Sequence, residues 1–198
     1  MLVAVNVARL HSRVIAKLFK SFDKKLPRLV VLLICLSLTT LTVAQTALQK
    51  PAPAPSEAKK AFEKLKSLAG SWHGTVMGMS VNIIITVASS GTAIVNEATA
   101  DGGRQPNHEI TMLYLDGDRL LATHFCDGGN RSRMEAKVSP DGNTIEFNTL
   151  DVEGSTKGGF TKRIAFTLVD ATHHSGELTY MMPDGKPLEV RAEFERTR

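Results

Sequence analysis

This sequence predicts an all-β fold: an antiparallel, up-and-down β-barrel of about ten strands with one short N-terminal helix. Three observations predict it. From Ser71 to the end, apolar residues recur at every second position, the period of a half-buried strand. Turn signals such as Asp116-Gly117, Asp141-Gly142 and Asp184-Gly185 separate the alternating runs, and Asp-Gly tolerates the positive φ that tight hairpins require. No helical periodicity intervenes to make the crossover a parallel pairing needs.

The predicted strands cover residues 71–78, 80–88, 92–99, 107–115, 119–126, 131–138, 144–150, 160–169, 175–182 and 187–196. Val81, Ile83, Ile85 and Val87 share one face of the second. Ala93 and Val95 do so on the third, and Ile110, Met112 and Tyr114 on the fourth, and these apolar faces are expected to point inward. Glu97 falls on the same face as Val95, either as an inward charge that needs a partner, such as an arginine, or where the strand's register slips at its end. An open meander of this length leaves two unpaired edges, and closure into a barrel removes both. A two-sheet sandwich is the alternative.

Ahead of the strands, Ser56 is placed to cap a helix carrying Ala58, Ala61, Phe62, Leu65 and Leu68 at helical spacing. Gly70 is placed to end that helix in a left-handed conformation. The only Trp, Trp72, follows immediately, so residues 65–74 read as the floor of the barrel. Trp72 begins the first strand and Arg196 ends the last, and closure makes these strands neighbours. A guanidinium on an indole face, worth ~0.5–2 kcal/mol, is the expected structural closure.

The N-terminal part reads differently. Basic residues precede an apolar run at 29–43 that ends in small residues, the pattern of a secretory signal peptide. The run is shorter than the ~20 residues of a spanning helix, and a retained signal-anchor is the other reading of it. Residues 1–47 are therefore assigned to a leader, 48–56 to a Pro/Ala linker and 57–198 to one barrel domain. The secreted or periplasmic space is the expected location. Cys35 lies in the apolar run, so leader removal leaves Cys126 alone and allows no internal disulfide.

Charge follows the same division. The formal net charge of +4 arises because the first 44 residues hold seven Lys/Arg and one acid. The rest keeps 17 of the 24 basic and 19 of the 20 acidic residues, a net charge of −2. A barrel without a basic surplus lacks the electrostatic drive for nucleic-acid binding, and no such partner is expected.

Among residues that can carry chemistry, His124 and Cys126 stand two apart and face the same way as Leu120 and Ala122. His108 lies on the preceding strand. Imidazole and thiolate are good soft-metal ligands, but three scattered candidates fall short of a structural zinc site, and no metal is assigned. No third group orients a Cys–His pair, and no catalytic residue is assigned. The polar loop at 127–133 carries Arg131 and Arg133, an arrangement able to hold a carboxylate or phosphate at the rim. Met77, Met79, Met112, Met134, Met181 and Met182 are expected as adaptable interior filler.

The run Leu65-x-x-Leu68-x-Gly70-x-Trp72-x-Gly74, ten strands and a late arginine resemble the calycin superfamily of lipocalins, fatty-acid-binding proteins and nitrobindin-like barrels. The segment from Tyr114-Leu115-Asp116-Gly117 through His124-Phe125-Cys126 to Gly129-Asn130 and Arg133-Met134 is most similar to nitrobindin-like and related secreted bacterial domains. Over residues 58–198 the resemblance implies a ligand-holding barrel. Nitrobindins hold haem through a histidine at the start of the last strand. Here Glu189 stands about where it would be, and no histidine follows His174, so no cofactor is expected.

The functional expectation is a secreted, non-catalytic, lipocalin-like barrel binding a small, largely apolar molecule. Its candidate cavity or rim residues are His108, Met112, Tyr114, His124, Cys126, Arg133 and Met134. Two alternatives stand beside it: an enzyme, redox or metal protein using His124 and Cys126, and a side-chain-filled scaffold that binds another protein at its rim. Interior volume separates the first from the last.

Overall fold

The computed structural model describes residues 54–101 and 107–197. The leader at 1–47, with its apolar run, and most of the 48–56 linker lie outside the described residues.

The described residues form one α-helix, α1 (Glu57–Lys66), and ten strands: β1 (Gly70–Val76), β2 (Met79–Ala88), β3 (Ala93–Asp101), β4 (Asn107–Asp116), β5 (Arg119–Phe125), β6 (Arg131–Val138), β7 (Thr144–Glu153), β8 (Phe160–Leu168), β9 (His173–Met181) and β10 (Pro187–Arg196). Each strand pairs antiparallel with its sequence neighbours, and β1 pairs with β10 through Trp72↔Arg196, His73↔Glu195 and Gly74↔Phe194. The sheet is thus a closed up-and-down barrel, with neither edge free for intermolecular pairing. Among the described residues, no helix is long and apolar enough to cross a membrane.

α1 closes one end. Ser56 accepts a hydrogen bond from the Lys59 amide at 3.3 Å, which satisfies one of the helix's orphan N–H donors. Ala61, Phe62 and Leu65 turn inward with Leu68 and are buried in the barrel core. Lys64 pins the helix to the β6–β7 turn through the Gly142 carbonyl at 2.6 Å and Asn143 at 2.7 Å. The apolar stripe needs this partner, since ten residues are too few for a helix to be stable alone.

Three local expectations are corrected. Gly70 does not end the helix: Ser67 is the C-cap, in a right-handed conformation, and Gly70 opens β1 with φ 141°. It is needed there because a Cβ would collide with the Arg196 guanidinium. The first strand stops at Val76, where Met77 (φ 50°) and Gly78 (φ 81°) make a turn with two positive φ angles that the sequence did not announce by an Asp or Asn.

The third correction concerns two strands that present the opposite face from the one expected. Ile94 and Asn96 of β3 and Thr111 and Leu113 of β4 are buried, whereas Met112 is exposed. Val95, Glu97, Ile110, Met112 and Tyr114 belong to the outer face. The outer face of β4, with Ile110, Met112 and Tyr114, is more apolar than the inner one, with Glu109 and Thr111, which misleads a reading by alternation. On β2 the expected face holds for Val81, Ile83 and Ile85, but Val87 is exposed near the strand's end.

Candidate functional site

A cavity of about 430 Å³ extends from the β1–β2 hairpin end of the barrel, opposite α1, down to Phe166 and Phe194. Val81, Ile83, Ala98, Ile164, Leu178 and Val190 belong to its apolar wall. These side chains come from five strands, because period-2 alternation delivers every second residue of each strand to the interior.

One patch of the wall is polar. The two-residue hairpin between β4 and β5 sets Leu113 opposite Ala122 and Thr111 opposite His124. The next inward residues toward the open end are Glu109 and Cys126. Cys126 Sγ donates to Glu109 Oε1 at 3.5 Å, and His124 Nε2 lies 3.6 Å from Glu109 Oε2. One ligand-capable atom from each of the three residues can be chosen so that all lie within 4.8 Å of one another.

His124 is only 2% exposed. Its Nδ1 is 2.9 Å from the Thr111 hydroxyl, while its Nε2 is buried with no hydrogen-bond partner. Burial holds the His124 pKa down at about 4, so the imidazole is neutral at physiological pH. Burial also raises the pKa of Glu109, and with the neighbouring Glu109 charge it raises that of the Cys126 thiol. Without a metal, the neighbours are thus thiol and neutral imidazole rather than thiolate and imidazolium, a weak start for nucleophilic chemistry.

A small loop holds Cys126 in place. Its backbone N–H donates to the Asn130 carbonyl at 3.1 Å, and its carbonyl accepts from Gly129 at 2.9 Å. The Gly128 amide donates to Cys126 Sγ at 3.4 Å. The buried Asn130 side chain anchors this loop to the β7–β8 connection by donating to the carbonyls of Gly159 at 2.8 Å and Ser155 at 3.2 Å.

Of the residues singled out in the sequence, His124 and Cys126 come together on the cavity wall. The others do not. His108 is exposed, 3.7 Å from Glu97, which is half-buried on the outer face rather than an inward charge. Met112 and Tyr114 are on the outer face, and the Tyr114 hydroxyl meets Thr123 at 3.4 Å. Arg133 is exposed and paired with Asp151, and Arg131 with Glu153, so both point away from the cavity and no anion clamp forms. Met134 is fully buried in the core, off the cavity wall. Of the other methionines expected inside, Met77 and Met182 are exposed. The residues missed are Glu109, Thr111, Asn96 and Tyr180, all of which line the cavity.

At the closed end, Trp72 is 1% exposed and donates from Nε1 to the Leu68 carbonyl at 2.8 Å. The Arg196 guanidinium lies 4.1 Å from the indole centroid. His174 meets Trp72 edge-on at 4.3 Å and stacks on Phe194 at 5.1 Å, so it belongs to the floor.

Glu189 stands between Leu188 and Val190, which line the cavity, and is itself exposed on the outer face. The inward residues of β10 are Leu188, Val190, Ala192 and Phe194, which give this side of the cavity an apolar wall.

The architecture is that of a closed, ten-stranded antiparallel barrel with an interior cavity. The chain is similar to Rv2717c from M. tuberculosis, at 14% identity and a TM-score of 0.52, over 70% of this chain and 98% of that one. A fainter likeness links it to EF1p2_mFAP2b bound to DFHBI, at 11% identity and a TM-score of 0.38, over 69% of this chain and 99% of that one. No protein-family model and no curated protein matches the chain.

Proposed function

We propose that this barrel binds a small, largely apolar molecule in its interior, without catalysing a reaction on it, outside the cytoplasm. The observation that carries the reading is the cavity: about 430 Å³, mainly aliphatic walls and one polar patch. Small-molecule sites have this composition and volumes of ~300–1,000 Å³. A scaffold filled by its own side chains would leave no such space. Asn96 Oδ1, His124 Nε2 and Thr161 Oγ1 lie on cavity-lining residues, buried and without a protein hydrogen-bond partner, and can orient a ligand's polar end. The leader pattern at 29–43 supports the location.

Native mass spectrometry of the protein purified from its own host tests the reading. A co-purifying organic molecule, displaced in solution by an environment-sensitive apolar fluorophore, is the expected result. Failure of both the native protein and its ligand-stripped form to bind any apolar fluorophore at micromolar concentrations would overturn it.

A further inference from the structure

The polar patch on the cavity wall has the donor set of a metal centre as well as that of a ligand's polar anchor. We propose that Glu109, His124 and Cys126 form a mononuclear site for a borderline divalent transition ion, zinc foremost. The carboxylate, Nε2 and Sγ are the three protein ligands, and the fourth position faces the cavity.

Geometry carries the argument. Zinc–ligand bonds of ~2.0–2.3 Å in a tetrahedron separate neighbouring donor atoms by ~3.3–3.7 Å. The observed separations are 3.6 Å from His124 to Glu109 and 3.5 Å from Cys126 to Glu109. They involve the two different oxygens of one carboxylate, so a small turn of the Glu109 side chain brings a single oxygen to the ion. Sulfur, nitrogen and oxygen together suit zinc and disfavour calcium or magnesium, which take oxygen ligands.

The second observation is independent of the cluster's composition. His124 Nε2 is buried, aimed at Glu109 and without a hydrogen-bond partner, an arrangement that costs free energy unless something engages the lone pair. The Thr111 hydroxyl, 2.9 Å from Nδ1, is placed to accept its proton. That tautomer leaves the lone pair on Nε2, and support of the far ring nitrogen by an oxygen acceptor is the usual second layer of a histidine–metal bond.

Binding requires thiolate and carboxylate, so the Cys126 thiol gives its proton to solvent as the metal–sulfur bond forms, as does Glu109 when it is protonated. The fourth ligand is then water or a donor atom of a cavity-bound molecule, in the three-ligand-plus-water arrangement of an open zinc site. A metal there would take the His124 Nε2 otherwise free to anchor a cavity ligand, but it does not require that the cavity hold one.

Titration of the full chain with Co²⁺ alone, followed by Zn²⁺, tests the proposal. One equivalent of Co²⁺ is expected to give a thiolate-to-cobalt charge-transfer band and four-coordinate d–d absorption, both removed by Zn²⁺. Cys126→Ser should abolish the charge-transfer band. Glu109→Gln and Thr111→Val should each weaken Co²⁺ binding at least ~10-fold, with far-ultraviolet circular dichroism confirming the barrel in each. If Cys126→Ser does not fold, the Glu109 and Thr111 variants decide. A folded wild type that gives no charge-transfer band, a band that survives Cys126→Ser, or an affinity unchanged in the folded Glu109 and Thr111 variants would overturn it.

Discussion

The Arg196 guanidinium covers the Trp72 indole at 4.1 Å on the register pair that joins the last strand to the first. It also donates to three carbonyls, those of Ala69 at 2.7 Å, Ala171 at 2.9 Å and Ser67 at 3.1 Å. One side chain thereby joins the barrel seam, the helix exit and the β8–β9 turn. Arg196→Ala should lower stability by about 2–4 kcal/mol, since it removes a cation–π contact and several charge-assisted hydrogen bonds at once. Arg196→Lys should recover little of it, because an ammonium lacks the planar fork. Urea denaturation read by the fluorescence of Trp72, the chain's single tryptophan, measures both variants.

Beneath that contact, His174 is a second buried imidazole, with its pKa held at about 4 by burial and then by the Arg196 charge, against 6.5 ordinarily. In the unfolded chain it takes up a proton at higher pH than in the folded one. Its neutral, folded form is therefore fully favoured above about pH 6.5, and the protein loses stability as pH falls from there toward 4, by roughly 3 kcal/mol at most. His174→Phe keeps an aromatic ring against Trp72 and Phe194 and removes the titration. Thermal melts at pH 7 and pH 5 should show a smaller acid-induced drop in the variant than in the wild type. The drop should not vanish, because His124 shares the low pKa of about 4.

The loop that presents Cys126 depends on a buried amide. Asn130 is 1% exposed and gives its Nδ2 protons to the backbone of the β7–β8 connection. Asn130→Ala leaves the buried Gly159 carbonyl unmet and should cost about 1–3 kcal/mol. The same change frees the loop whose amides bracket the thiol, so Cys126 should react faster with a thiol reagent. A native-state labelling time course beside a melt separates the local effect from global unfolding.

The barrel was legible in the sequence because Asp-Gly punctuation and period-2 alternation agree along the chain. The closure was legible because Trp72 and Arg196 sit at its two ends. The site was half legible. His124 and Cys126 could be placed inward beside Leu120 and Ala122, but Glu109 and Thr111 were assigned to the wrong face because Ile110, Met112 and Tyr114 beside them are more apolar. The hairpin at Asp116-Gly117 held the missing signal. Directly opposed residues share a face, and a two-residue turn there sets Thr111 opposite His124. Polar residues needed at a site break the hydrophobic pattern where that pattern is being used to find them. The Met77-Gly78 turn was illegible for another reason: Met at φ 50° is a costly choice that no turn propensity announces.

Ala98 faces Glu109 across the β3–β4 pair, and its methyl group lines the cavity. Ala98→Trp places an indole inside the barrel without touching the floor at Trp72 or the core around α1. Because the space it enters is cavity rather than packed core, the overpacking cost should stay within about 1–3 kcal/mol. Binding of an apolar fluorophore should fall at least ~10-fold, equivalent to about 1.4 kcal/mol. Ile84→Trp adds the same ring on the exposed outer face of β2 and should leave binding unchanged. Fluorophore titration of both variants against the wild type compares them directly. Equal affinity in all three would place the fluorophore outside the barrel, whereas selective loss in Ala98→Trp would place it within the interior that the ten strands enclose.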